Sequence, residues 1–478
     1  MPPQSEASVA DGGLRQRISA KVAHDAAEQT VFSWKDVAKH NTASDARLII
    51  EGKVYDLTGW VESHPGGSEV LKLMLGRDAT HAFLSYHPFT DKPRQILKKF
   101  EIGTVKDSEF PQYTPDSGLY KELSKRVGDY FKTNKLNPKD PWPGVWRMIV
   151  VSAVLAVSFL ATNNFFTLPF WARCLTACVL GICQALPLLH VMHDSSHTAF
   201  GSSQPWWAIG GRLFMDFVAG ANMTSWHYQH VVGHHIYTNV YTADPDLPVA
   251  DEGDPRRLVT RQKWQGMYKY QHIYLPPLYG ILGLKFRIQD FTDTFFRGWN
   301  GPVRVNPISA FGYFELFASK LIWASWRLAL PLMYFPIGAK EFWVLFFIAE
   351  WMTGYYLAFN FQVSHVSTEC DYPLGDEASE TIKDEWAVSQ IKSSVDYGHY
   401  SWITAFLTGA LNFQVTHHLF PGISQYHYPA IAEIIKETCK EYKVRYPYLP
   451  TFGEAFGAHL RHLKDMGERG VAAEVHMG

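Results

Sequence analysis

The sequence predicts two unlike domains, a small α+β domain near the N-terminus and then an all-α membrane domain with about four transmembrane helices under a helical cap. Three observations predict this. The chain is largely polar before Arg147, where long apolar runs begin, so the mean hydropathy of -0.13 averages two different materials. Aromatic residues make up 15% of the chain, and many stand at the ends of apolar runs, where membrane interfaces collect Trp and Tyr. Histidines are grouped in blocks that follow apolar runs. A net charge of -2 excludes bulk electrostatic binding of nucleic acid. The cysteines form no CxxC pair and no disulfide framework, which reads as reduced thiols.

Taken in order, residues 1–29 read as a polar, disordered lead without the apolar core of a signal peptide. Insertion then falls to internal segments and leaves the N-terminal domain on the cytosolic side. Ser33 caps a short helix through His40, and Leu48–Leu57 reads as a hairpin turning at Glu51-Gly52. His64-Pro-Gly-Gly67 follows, with Tyr86-His87 further on. The glycines let backbone approach a flat ligand, and His64 and His87 lie on separate segments able to reach its two faces. Residues 30–106 thus resemble a cytochrome b5 domain. The resemblance implies haem b with His64 and His87 as axial ligands, and a one-electron carrier because both axial positions are filled. His81 falls at a variable position, and Arg47 stands where the family commonly has Trp.

Residues 107–140 read as a linker and an amphipathic helix, with Lys106–Gly118 as a tether and Leu119–Asn134 as the helix. The membrane domain is expected over residues 141–466, with a tail at 467–478. Its spans are expected at Met148–Phe166, Leu175–Leu189, Ala318–Ile337 and Phe342–Phe361. Trp206–Ala221 carries Arg212 and Asp216 and reads as re-entrant or interfacial, and Asp244–Val305 as an interfacial stretch. Four spans put both termini and every histidine cluster on one side. A hairpin turning at Pro336–Lys340 places Arg327 and Glu350 at similar depth, and the cost of a charge within a span predicts an ion pair. Ala430–Tyr442 reads as a packed helix.

The chemistry-bearing stretch is Trp226–Asn239. On a helix His230 and His234 share a face, and His235 sits one position round. His193 and His197 repeat the i,i+4 spacing, Gln414 precedes His417-His418, and Gln362 precedes His365. A lone apolar-face histidine is ordinarily a core residue, but an adjacent pair with a third one turn earlier is not explained by packing. The eight imidazoles exceed the four ligands of a tetrahedral zinc. Imidazole-rich, thiolate-poor ligation suits iron, copper or zinc, and the count points to two metals. Asp194, Asp244 and Asp246 are candidates to orient imidazoles through their second ring nitrogen, with turn formation as the plain alternative. His190 lies one turn before His193, His227 and His399 match no block, and His272 lies in the interfacial stretch. His24, His40, His427, His459, His462 and His476 read as surface residues.

Together these blocks resemble a front-end fatty acyl desaturase with a fused N-terminal cytochrome b5 domain. Gln271-His-Ile-Tyr-Leu-Pro-Pro-Leu-Tyr-Gly280 and His418-Leu-Phe-Pro-Gly-Ile423 are most similar to microbial Δ5 desaturases. Gln414 in place of a first histidine is similar to that subfamily. The central His-x3-His-His departs from the His-x2-His-His of many relatives. The resemblance implies His193, His197, His230, His234, His235, Gln414, His417 and His418 as catalytic and metal-binding residues, with His365 as a further ligand. It implies two iron ions, O2 as co-substrate, and NADH-cytochrome b5 reductase as electron source. An unactivated methylene is beyond acid–base chemistry, so the protein's task is to hold and aim a cofactor. The implied substrates are C20 polyunsaturated chains on a lipid or coenzyme A, dihomo-γ-linolenic to arachidonic and eicosatetraenoic to eicosapentaenoic. The implied location is the endoplasmic reticulum membrane, multi-pass, with the boxes cytosolic. Alternatives are a Δ4, Δ6 or Δ8 front-end desaturase, a sphingolipid desaturase, a fatty acyl hydroxylase, or a membrane-anchored haem electron carrier.

Overall fold

A computed structural model describes residues 30–248, 253–374 and 379–475; the expected lead, His24 and His476 lie outside them. The N-terminal domain is built on a five-stranded sheet. Asp45–Ile50 and Lys53–Asp56 pair antiparallel, and Glu51 and Gly52 both take positive φ, as a two-residue hairpin requires. Ser33 and Asp36 form a reciprocal capping box that starts the helix Trp34–Ala38. Arg47 lies 3.7 Å from Asp56 and over the ring of Phe32.

The tether expected at Lys106–Gly118 is pinned instead. Gln112–Thr114 pairs in parallel with Thr381–Glu385, Glu109 takes a bidentate hydrogen bond from Arg304, and Tyr113 donates to the carbonyl of Ile236. One hydrophobic cluster runs from Leu48, Ile50 and Met74 to Tyr228, Val232 and Tyr237, so the small domain is docked on the large one. Arg77 and Asn306 hydrogen-bond across the same junction at 2.8 Å. The helix Leu119–Asn134 buries Leu123, Val127 and Phe131 against Ile431 and Ile435 of Tyr428–Tyr442.

Among the described residues, three helices are long and apolar enough to cross a membrane: Trp142–Thr162, Phe170–Ser196 and Ala339–His365. The expected third span lies in a helical run from Ala310 to Tyr334 with a π turn at Ser325–Ala329; it carries Lys320 and Arg327 and is not one of the three. Its outer face exposes Phe314, Leu321 and Met333, as the first two spans expose Trp146, Val157 and Leu175. Phe170–Ser196 and Ala339–His365 meet closely because Gly181 has no Cβ to strike the carbonyl of Ala349. Arg327 lies 3.4 Å from Glu350, the ion pair its depth predicts, but Glu350 also accepts a hydrogen bond at 2.5 Å from Arg287.

Three further expectations are corrected. The helix Phe452–Val475 runs on into the expected tail, where Gly467, a poor helix former, lets it pass close to the carbonyl of Tyr268. His459 and His462 are buried under that helix. His459 donates to the carbonyl of Val366 and pairs with the hydroxyl of Tyr279, and His462 donates to the carbonyl of Leu258. His399 is buried as well, 2.9 Å from Asp396.

Candidate metal centre and haem pocket

Phe170–Ser196 and Ala339–His365 carry His193 and His365 near their C-terminal ends. The helix Gln414–Leu419 brings Gln414, His417 and His418 to the same place, and the turn after Asn222 brings His230, His234 and His235. All nine side chains, with His197, are buried.

They sort into linked groups. His193, His197, His230 and His417 place one nitrogen each within 4.8 Å of one another, and His234, His365 and His418 do the same. His235 joins His417 and His418 and so stands between the two. Here the structure departs from the simple helical reading. His227–His234 is a π-helix, closed by a bond from the amide of His235 to the carbonyl of His230. The wider turn aligns His230 with His235, whose Nε2 atoms are 3.1 Å apart, and sends His234 to the other group.

The Nδ1 atoms point outward to protein partners. His234 donates to Asp244 at 3.1 Å, His365 to the carbonyl of Ser393 at 3.1 Å and His418 to Gln390 Oε1 at 2.9 Å. Those acceptors carry no proton on the receiving atom, so each ring, when neutral, places its Nε2 lone pair inward. The Nε2 atoms of His234 and His418 lie 3.3 and 3.2 Å from that of His365. Facing lone pairs at that separation repel, and a cation between them turns repulsion into ligation. His197 and His417 rest their Nδ1 atoms on the hydroxyls of Tyr86 and Tyr428, and their buried Nε2 atoms have no partner. Gln414 Nε2 is 2.8 Å from His365 and its Oε1 is unpartnered; a half-turn of the amide exchanges them.

The electrostatics agree with a cation site. Burial and then neighbouring imidazoles hold His230, His235, His417 and His418 well below the ordinary histidine value, so they are neutral, as ligands must be. For His234 burial is outweighed by Asp244 and Asp246, whose carboxylates raise it to about 9, so without a metal this ring carries a second proton, on Nε2, that an incoming cation displaces. Of the three aspartates considered, Asp244 holds His234, Asp246 lies 3.5 Å from the same ring, and Asp194 is engaged by Gln425 instead. His190 turns away to the carbonyl of Phe406. Gln390, Tyr428, Tyr86 and the carbonyl of Ser393 were invisible to sequence reading because none sits in a motif and folding alone brings them in.

The haem pocket is a cavity of about 270 Å³ walled by Leu48, Leu57, Met74, Phe83 and Phe100, with His64 and His87 facing each other at 6.0 Å between ring centres. Their Nδ1 atoms donate to the carbonyls of Gly67 and Phe83, which leaves Nε2 free on each ring. A Cβ at Gly66 would stand 2.9 Å from the His64 ring, and Gly67 takes a φ of +84°, so the Pro-Gly-Gly turn is needed to seat this imidazole. An apolar slot between two opposed imine nitrogens fits haem. Lys139 of the linking segment and Thr198 of the larger domain also line it. A second cavity, of about 490 Å³, reaches His193, His230, His234, His365 and Gln414 past Trp226 and Phe361, with Arg256 and Lys285 in its wall.

Comparison with known proteins agrees. Residues 33–106 match the cytochrome b5-like heme/steroid binding domain, and residues 169–450 match the fatty acid desaturase family. The chain is 41% identical over 445 residues to acyl-lipid (8-3)-desaturase B of Dictyostelium discoideum, covering 91% of this chain and 94% of that one. It is 42% identical to Delta(5) fatty acid desaturase A of the same organism, with the same coverage. It is 39% identical to the acyl-lipid (8-3)-desaturase of Mortierella alpina, covering 92% and 97%. A solved cytochrome b558 from Ectothiorhodospira vacuolata is 33% identical over 16% of this chain and 98% of its own, with a TM-score of 0.16. The chain belongs to the fatty acid desaturase family, as a front-end acyl-lipid desaturase, an oxidoreductase, with a fused cytochrome b5 domain.

Proposed function

We propose that this enzyme inserts a cis Δ5 double bond into C20 polyunsaturated acyl chains. The observation that carries the reading is the convergence of eight histidines and Gln414 into linked groups beside a haem pocket. Relatives named for Delta(5) and (8-3) desaturation at about 40% identity support the position of the bond. Haem b between His64 and His87, and two irons held by His193, His197, His230, His234, His235, His365, Gln414, His417 and His418, make up the cofactor set. The irons supply the O2-derived oxidation of an unactivated C–H bond. In balance, the two adjacent methylenes lose one hydrogen each, and O2 with two electrons and two protons leaves as two waters.

The chain's own residues aim that chemistry. Outward acceptors orient His234, His365 and His418, burial keeps bulk water from the centre, and the cavity past Trp226 and Phe361 receives the acyl chain. Arg256 and Lys285 give its wall cationic groups suited to an anionic carrier, phospholipid or coenzyme A. Electrons come from NADH through cytochrome b5 reductase to the haem domain at residues 30–106. The membrane domain at 141–466 takes four spans, Ala310–Tyr334 supplying the fourth, in the endoplasmic reticulum with both termini and the histidine boxes cytosolic.

The test is gas chromatography with mass spectrometry of lipids from yeast expressing the chain and fed C18 and C20 polyunsaturated acids separately. New Δ5 bonds in C20 acids alone support the reading. Δ4, Δ6 or Δ8 products, or products in long-chain bases, overturn the specificity; gain of one oxygen in place of loss of two hydrogens assigns a hydroxylase.

A further inference from the structure

The haem pocket and the metal centre share a wall, and one side chain belongs to both. Tyr86 ends the helix Thr80–Tyr86, immediately before His87, and lines the haem pocket. Its hydroxyl lies 3.0 Å from Nδ1 of His197, 111 positions away and in the other domain. Among the described residues it is the one haem-pocket side chain hydrogen-bonded to any of the nine.

The bond has a direction. Nε2 of His197 is buried, without a partner, in the group with His193, His230 and His417. A lone pair turned into that group leaves the proton on Nδ1, which donates to the Tyr86 oxygen. A second feature of the backbone leads to the same place. Thr198 adopts a positive φ of 57°, a costly conformation for a non-glycine residue. It lets neighbouring residues serve opposite sites, His197 the metal group and Thr198 the haem-pocket wall, where Lys139 donates to its hydroxyl at 3.1 Å.

We propose that Tyr86 is a positioning residue that couples the haem to the metal centre, holding His197 by a hydrogen bond that crosses from one pocket to the other. Each electron oxidises ferrous haem to ferric and reduces the metal centre by one charge. Two such transfers, supplied by the reductase, complete one turnover. This rests on the haem and two irons proposed above.

The test uses the full chain with Tyr86→Phe and Tyr86→Leu. Haem is pre-reduced and mixed with O2 and acyl substrate, and its re-oxidation is followed by absorbance, with rates referred to chains holding both haem and non-haem iron. The expected result is a slowing of about tenfold to a hundredfold, the usual effect of removing a partner of a metal-bound histidine. In Tyr86→Phe, which keeps the ring against the haem pocket and removes only the hydroxyl, the Soret band, haem midpoint potential and re-oxidation by ferricyanide stay at wild-type values. A wild-type rate of re-oxidation in either variant overturns the assignment, as does an equal slowing with ferricyanide, which would place the defect in the haem itself. Wild-type protein without non-haem iron would instead overturn the cofactor reading beneath it.

Discussion

Asp244→Asn is the sharpest probe of how the metal centre is held. The Asp244 carboxylate is fully buried and accepts from three donors: His234 Nδ1–H, shared between both oxygens at 3.1 and 3.2 Å, the amide of Asn239 at 2.8 Å and the amide of Asp246 at 2.9 Å. The two backbone amides approach different oxygens, so either orientation of an asparagine sets its NH2 against a backbone N–H. One buried donor is then left unsatisfied, at about 1–3 kcal/mol of stability. The substitution also removes the charge that raises His234 to about 9 and that, once a metal has displaced the second proton, holds the remaining one on Nδ1. Loss of such a partner lowers metal affinity by about tenfold to a hundredfold, or roughly 1.4–2.7 kcal/mol. Chelator competition measured on protein with an intact Soret band reads the affinity, and thermal denaturation reads the stability. Wild-type affinity in folded Asp244→Asn would refute the claim that Asp244 anchors His234 as a ligand.

Two further perturbations bear on the frame around the site. Glu350→Gln leaves both Arg287 and Arg327 uncompensated, so it should destabilise more than Arg327→Gln, by about 3–5 kcal/mol, and the two should be non-additive; additivity in a double-mutant cycle would remove the ion pair from the account. His81 stacks on Trp386 and against Tyr113 across the domain junction, and burial, opposed by Glu51, pushes its imidazole down to about 3. An unfolded histidine takes up its proton near 6.5, so this site costs nothing above that pH and loses at most about 1.4 kcal/mol per unit as pH falls from there toward 3. Thermal melts from pH 7 to 5 should decline less steeply for His81→Leu than for wild type; equal slopes would show that His81 does not set the acid sensitivity of docking.

Much of this was legible from short-range spacing. The hairpin at Glu51-Gly52, the Ser33 cap and the helix Leu119–Asn134 depend on neighbours in sequence, and each formed where its spacing put it; His64 and His87, on separate segments, were legible through the His-Pro-Gly-Gly motif. The depth match of Arg327 and Glu350 was likewise arithmetic along a hairpin. What the sequence hid depends on hydrogen-bond register and on distant partners. The π turn over His227–His234 changes the rotation per residue, and with it the group each histidine joins. The strand Gln112–Thr114 exists only because Thr381–Glu385 arrives beside it, and His459 is a core residue only because its helix lies on Tyr279 and Val366. Arg287 as second partner of Glu350 has no local signature either.

One chain is expected to hold a haem and a separate two-metal centre, in contact through its own side chains. Metal analysis of purified full-length protein, with haem quantified spectroscopically in the same sample, measures both. The expected result is one haem per chain and two further iron atoms; a combined His234→Ala and His418→Ala variant should lose one of the two non-haem irons and keep the haem, because His193, His197, His230 and His417 form the other group. One non-haem metal per chain in the wild type, or both non-haem irons retained in that variant, would contradict this arrangement.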